Sequence, residues 1–278
     1  RAVAARPGSR ARAPTLSPHG ALGADVEVVH NGGVPRVPGT LREPLLAFAA
    51  TTALAALLAV VGRGVPFVGD NLQAFIAVAF FYAPALAARA AGRHFDYHEA
   101  GLRLHPLALN LKVLGGACLL TFPAFAGGFF IFYGYACGPA GTWLAPFFGS
   151  LCHHWHGLHG GGLHLPDRFA ISALNQLVVV AIPEELFFRG YLLVRLERVW
   201  RPTRRLFGAP VGKALLVSSA LFALGHLVVI PNPQRLAVFF PALVFGWMRG
   251  RTGSIAAGAT FHALCNVVAD VMHTSYFY

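Results

Sequence analysis

Two adjacent glutamates and an arginine interrupt an apolar run: Pro183-Glu184-Glu185-Leu186-Phe187-Phe188-Arg189, with Leu177, Val178, Val179 and Val180 before it and Leu192 and Leu193 after. In a bilayer each ionised group costs a few kcal/mol or more unless paired or hydrated, which makes such residues functional candidates by default. On a helix, Glu185 and Arg189 are one turn apart and share a face, so they are expected to pair. Glu184 points about 100° away and is left to face a cavity. A purely structural ion pair that locks neighbouring helices is the plainer alternative.

Two later apolar runs carry imidazoles, in Phe222-Ala-Leu-Gly-His226 and His262-Ala-Leu-Cys-Asn266. In a cavity of low dielectric a carboxylate such as Glu184 can act as general base toward a bound water, with His226 orienting that water and sharing its proton. His262 and Asn266, one turn apart, offer N–H donors suited to a developing oxyanion. Together these groups suit water attack on an amide without a covalent intermediate. The chain has no Gly-x-Ser-x-Gly elbow, no His-Glu-x-x-His zinc motif and no paired-aspartate arrangement, which removes the common serine, metallo- and aspartyl alternatives.

The elements that must position these groups follow from composition. With 56% hydrophobic residues, 12% charged residues and a mean hydropathy of +0.58, the chain reads as an all-α polytopic membrane protein. Apolar runs near the length needed to span occur at 44–61, 72–90, 111–133, 172–194, 212–230, 236–249 and 254–272, which predicts about seven transmembrane helices around a central polar cavity. No strand-like alternation recurs at barrel spacing. Of the 22 lysines and arginines, all but Arg63, Arg168 and Arg235 fall on one side of this arrangement. The asymmetry places the N-terminus inside and the C-terminus outside. It also accounts for the net charge of +11 without nucleic acid, whose binding needs clustered basic and aromatic motifs.

Depth supports convergence. Counting rise from the basic ends, Glu184 lies about 16 Å in, His226 about 20 Å, and His262 and Asn266 between about 12 and 18 Å. Four polar groups on three helices thus reach similar depth. A lone intramembrane histidine more often bridges helices by hydrogen bonding, but four at one level point to a shared cavity.

The remaining segments divide into tail, loops and scaffold. Residues 1–43 read as a disordered basic tail lying on the anionic inner surface. Their Arg-rich composition also fits an organellar transit peptide or an upstream extension. Residues 44–278 form the helical domain. Pro84 is expected to kink or break the second helix. His94 and His98, spaced i, i+4, would suit a metal on a helix face, although a solvated loop is preferred. The outer loop 134–168 holds Cys137, Cys152, His153, His154, His156, His159 and His164. A metal- or proton-sensing role is conceivable there, a flexible polar loop is favoured, and an oxidising compartment would permit a Cys137–Cys152 disulfide. Cys118 and Cys265 are expected as buried free thiols. Gly246 and Gly250 form a small-x-x-x-small pair suited to internal helix packing or dimerisation.

Glu184-Glu185-x-x-x-Arg189, Phe222-x-x-x-His226 and His262-x-x-x-Asn266 resemble, in order and spacing, the motifs of the CPBP family. That family comprises the CAAX-processing and bacteriocin-processing proteins, the Ras-converting CAAX endoprotease and many prokaryotic Abi-type membrane proteins. Thr252-Gly253-Ser254-Ile255, preceded by Phe245-Gly246, looks like a further family motif, and the resemblance covers about 170–270. It implies an intramembrane glutamic endopeptidase. Glu184 would activate water with His226 as its partner, His262 and Asn266 would hold the oxyanion, and Glu185 and Arg189 would give support. It implies no metal and no cofactor. The partners would be the bilayer and a membrane-associated protein or peptide, cleaved near its C-terminus or leader, and the expected site is the prokaryotic inner (cytoplasmic) membrane.

Three alternatives stand beside this reading. One is a zinc-dependent protease in which Glu184, His226 and His262 are ligands. Another is a non-proteolytic scaffold or immunity factor, which would have the polar cluster packed shut. A proton-coupled carrier, the third, would be built from internal repeats, and the two halves do not match convincingly. The protease needs an opening beside Glu184, lateral or cytoplasmic, wide enough for an extended peptide.

Overall fold

The computed structural model describes residues 40–144, 152–157 and 162–277. The predicted tail lies outside the described residues over 1–39, as does His159 of the outer loop.

Each of the seven predicted apolar runs falls on a helix. Helix α1 (Arg42–Gly62) is joined through a short α2 (Pro66–Asp70) to α3 (Leu72–Ala90), and α4 spans Leu107–Ala136. A continuous helical run over 169–199, here α5, carries the two glutamates. A two-stranded hairpin, β1 (Arg204–Leu206) with β2 (Ala209–Val211), leads to α6 (Lys213–Val229). Helices α7 (Phe239–Thr252) and α8 (Ala256–Tyr276) complete the bundle.

Among the described residues, α1, α3 and α4 are long and apolar enough to cross a membrane, and α6 is a shorter apolar helix. Helix α4 shows why. It buries only Asn110 and Ala136, while Leu119, Leu120 and Ile131 are exposed. In water such a face would be a costly apolar patch; in lipid it is simply solvated. Helices α5 and α8 carry the polar side chains of the bundle interior, Glu184, Glu185 and Arg189 on one and His262 and Asn266 on the other. The protein is accordingly an integral membrane protein built of helices.

Several boundaries differ from the sequence reading. Helix α3 runs through Pro84 without ending there; the proline ring is buried against the bundle, where packing offsets the missing N–H. Helix α4 begins four residues earlier than expected, at Leu107, directly after Pro106, which is extended and precedes the first helical residue. The sixth run opens as a 3₁₀ turn, Pro233–Val238, before α7 proper. His94 and His98 lie in non-helical turns and so share no helix face. Between them, Asp96 accepts from the backbone N–H groups of His98 and Glu99. The Glu99 N–H, as the largest influence, holds its carboxyl below the usual value.

The two ends of the bundle are fastened differently. At one end Glu43 of α1 pairs with Arg93 and Arg195 and accepts from the Tyr191 hydroxyl. Ser254 and Ile255, between α7 and α8, bond to the carbonyls of Gly101 and Arg103. Gly253 takes a φ of 70°, which ends α7 in the left-handed conformation that only glycine adopts freely. At the other end Cys137 and Cys152 are joined. His156 N–H donates to the Tyr276 carbonyl and His164 exchanges hydrogen bonds with Ser275. Trp155 packs into a ring cluster with Phe129, Tyr133, Tyr276 and Phe277. The described parts of the His-rich loop are thus pinned to α8 rather than loose. Cys118 and Cys265 are unpaired and half-buried.

In the middle, α5 is the buried axis. Its Leu186–Leu193 segment is a wide π-type helix in which all eight residues are buried. Phe187 and Phe188 pack on Phe48 and Phe80, and Phe188 meets Phe222 of α6 edge-on. Arg189, 1% exposed, donates to Glu185 Oε1 at 2.8 Å and to the Ala242 carbonyl of α7 at 3.2 Å. Its guanidinium lies 4.4 Å from the Phe222 ring centroid and 5.1 Å from that of Phe245, positions favourable for cation–π attraction. Gly246 of α7 packs against Leu215 of α6 and Gly250 against Pro210, so the small-residue pair serves internal contact.

Two substitutions test this core. A Cβ at Gly190 would sit 2.7 Å from the Ala100 carbonyl oxygen, so Gly190→Ala is expected to destabilise by about 1–3 kcal/mol. An unchanged thermal midpoint in detergent would mean the 91–106 turn yields freely. Arg189→Met strands a buried carboxylate and is expected to cost about 3–5 kcal/mol. Adding Glu185→Gln to that variant should restore part of the loss, and a double variant less stable than the single would refute the pairing account.

Candidate active site

The site begins with a local irregularity in α5. Gln176–Ala181 is a π-type segment, Ile182–Glu185 a single regular turn, and Leu186–Leu193 a second π-type segment. Pro183 lies in that central turn and supplies no N–H to the ladder, and wide turns are a common accommodation around such a defect. The result separates the adjacent glutamates: Glu185 is fully buried toward Arg189, whereas Glu184 is only partly buried and lines a cavity.

That cavity has a volume of about 520 Å³. Glu184 from α5, His226 from α6, and His262 and Asn266 from α8 all line it, with Gln176, Phe222 and Phe245 among their neighbours. Glu184 Oε2 stands 3.9 Å from His226 Nε2 and 3.8 Å from His262 Nε2. It is buried and hydrogen-bonds no protein group.

Each imidazole is held from behind. His226 Nδ1 lies 2.9 Å from the Phe222 carbonyl, one turn back on α6. A carbonyl only accepts, so Nδ1 carries the hydrogen and Nε2 is presented to Glu184. His262 Nδ1 lies 3.2 Å from Glu185 Oε1, the same oxygen that Arg189 engages. Its Nε2 likewise turns to Glu184, and its ring stacks on Phe245 at 4.8 Å with an interplanar angle of 16°. Glu185 therefore does more than balance Arg189: it also orients His262. This contact was not foreseen from spacing, since it depends on how α8 packs against α5.

Asn266 Nδ2 donates to Gln176 Oε1 at 2.8 Å, which fixes the amide and leaves its second N–H available. Gln176 was missed by motif reasoning, although a polar residue in an apolar run is the same signal that singled out Glu184. Arg235 and Asp270 also line the cavity, and neither was singled out from sequence. His94, His98, His153, His154, His156 and His164 do not line it. Among the described residues, no three His, Cys, Asp or Glu side chains are grouped so as to hold a metal ion.

Residues 166–268 match the family described as type II CAAX prenyl endopeptidase Rce1-like. No curated protein and no solved structure matches the chain. The matched stretch contains both glutamates, Arg189, both cavity histidines and Asn266, so this part of the chain is similar to the Rce1-like type II CAAX prenyl endopeptidases.

Proposed function

We propose that the protein is an intramembrane endopeptidase in which Glu184 activates water for attack on a peptide carbonyl. One observation carries this reading: Glu184 Oε2, buried and bonded to no protein group, faces two imidazole Nε2 atoms at 3.8 and 3.9 Å across a cavity wall. Those gaps are too long for direct hydrogen bonds, yet a water standing to one side of them in the cavity can lie about 2.8 Å from each partner.

The step then balances. Water oxygen adds to the carbonyl carbon while its proton passes to the Glu184 carboxylate. The oxyanion that forms is met by the free N–H of Asn266 and by His262, which donates from Nε2 as the imidazolium with Glu185 as counter-charge. Collapse breaks the C–N bond, and the proton held at Glu184, or shared through His226, goes to the leaving amine. The enzyme returns to its starting state with no covalent intermediate.

The scaffold alternative requires the polar cluster to be packed shut, and a cavity of about 520 Å³ beside Glu184 argues against it, being within the range of substrate pockets. The substrate on this reading is a membrane-associated protein or peptide.

Glu184→Gln keeps the shape and removes the base; with a reconstituted substrate it should lower kcat by at least about 100-fold while expression and thermal midpoint hold. Retained cleavage would reject the base assignment. Asn266→Ala should lower kcat by about 10²–10³ with little change in KM, as removal of an oxyanion donor does. Chelation followed by zinc addition separates the metal-dependent alternative: activity is expected to persist, and loss restored by zinc would make Glu184, His226 and His262 ligands instead.

A further inference from the structure

A second recess, of about 510 Å³, shares no lining residue with the Glu184 cavity. It lies where α3 gives way to the turn that follows, and its lining includes Arg89, Gly92, Arg93, His94, Phe95 and Tyr97. Helix α3 is apolar and long enough to cross a membrane, and its 19 residues rise about 28 Å, close to the thickness of the hydrocarbon core. The recess therefore sits at headgroup level. Gly92 takes a φ of 68°, and the N–H groups of Ala91, Gly92 and Arg93 bond back to the carbonyls of Ala87, Ala88 and Arg89. These bonds occupy carbonyls of the last turn and blunt the negative end of the helix.

Positive charge there exceeds negative. Arg89 and His94 are exposed, and among the described residues neither side chain is held in a salt bridge. Arg93 shares the carboxylate of Glu43 with Arg195, so two guanidiniums stand against one acid. Asp96, two residues beyond His94, turns its carboxylate to the N–H groups of His98 and Glu99 and does not line the recess. An apolar strip leads away from these charges. Val78, Tyr82 and Leu86 are exposed, and with Arg89 they fall at i, i+4, i+8 and i+11, on one face of α3. Phe95 and Tyr97 add half-buried rings braced by Tyr191 of α5 and Phe81 of α3.

We propose that this recess binds the phosphate of an anionic membrane phospholipid, with Arg89, Arg93 and His94 on the headgroup and the acyl chains along Val78, Tyr82 and Leu86. A cationic recess at headgroup level, continuous with a lipid-facing apolar strip, matches both parts of such a molecule. A free phosphate would use the charges and leave the strip without a role. The site lies apart from Glu184 and does not depend on the endopeptidase reading.

Thermal midpoints of the full chain in neutral detergent read the binding. Dioleoylphosphatidylglycerol should raise the midpoint saturably, and dioleoylphosphatidylcholine at the same concentration should not. Arg89→Gln combined with His94→Gln should leave the lipid-free midpoint unchanged. It should also raise the phosphatidylglycerol needed for half the shift by about fivefold or more, the worth of one basic side chain at an anionic surface. Arg204→Gln combined with Arg205→Gln, which removes two charges from the hairpin, should change that requirement by less than about twofold. Equal losses in the two double variants, no loss in either, or an equal response to the two lipids overturns the proposal. Glycerophosphoglycerol, the same headgroup without acyl chains, should give no shift; a shift matching that of the lipid would assign the recess to a soluble phosphate and overturn the lipid. Native mass spectrometry gives a reading independent of any variant's stability. Unaltered protein released from mixed micelles should retain phosphatidylglycerol over phosphatidylcholine, and equal retention would overturn the proposal.

Discussion

The structure depends on a charge that has nowhere else to go. Arg189 sits at the centre of the bundle, and its guanidinium is satisfied by one carboxylate, one carbonyl of α7 and the faces of Phe222 and Phe245. In a medium without water, these contacts matter because an unpaired buried ion costs several kcal/mol, a large share of the stability of an ordinary domain. One side chain thereby sets the spacing of α5, α6 and α7. Glu185, fixed by Arg189, then sets the ring of His262. The histidine on α8 takes its position at the end of a chain of constraints that starts with a cation.

This ordering gives adjacent glutamates opposite roles. A regular helix would turn one from the other by a fixed angle, and here a single regular turn between two wide ones does so within a backbone already weakened by Pro183. Glu185 engages Arg189 and His262 through Oε1. Glu184 has its second oxygen turned into a polar recess with no protein partner. Burial without a partner is costly, and active sites are where proteins tolerate such a cost, since a satisfied carboxylate is a poor base.

Much of this was legible in the amino-acid sequence because a membrane makes polar residues conspicuous. Glu184, Glu185, Arg189, His226, His262 and Asn266 stand out from runs of Leu, Val, Ala and Phe, and helical rise alone put the cavity groups at similar depth. The apolar runs located the helices because length and composition carry that signal directly. What stayed hidden was whatever depends on packing between elements or on departures from regular geometry. The wide turns of α5 leave no periodic trace in an apolar segment. The contact of Glu185 with His262 joins residues far apart in the chain, and the hold of Gln176 on Asn266 needs the crossing of α5 with α8. Pro84 misled for the same reason: its effect on a helix depends on what packs beside it.

The cavity is bounded unevenly. Helices α4 and α8 are tied at one end by the disulfide and the rings of Phe129, Trp155 and Phe277, whereas α1 and α3 line the cavity, with Thr52, Ala55 and Ala59 on one and Leu72, Ile76, Ala77 and Phe80 on the other. Those two helices are held at one end, where Glu43 takes up Arg93 and Arg195, and along α5, where Phe48 and Phe80 pack on Phe188 and Phe187. The cavity's polar groups Glu184, His226, His262 and Asn266 belong to α5, α6 and α8, so a substitution at Ala55, Ala59 or Ala77 alters the recess from helices that carry none of them.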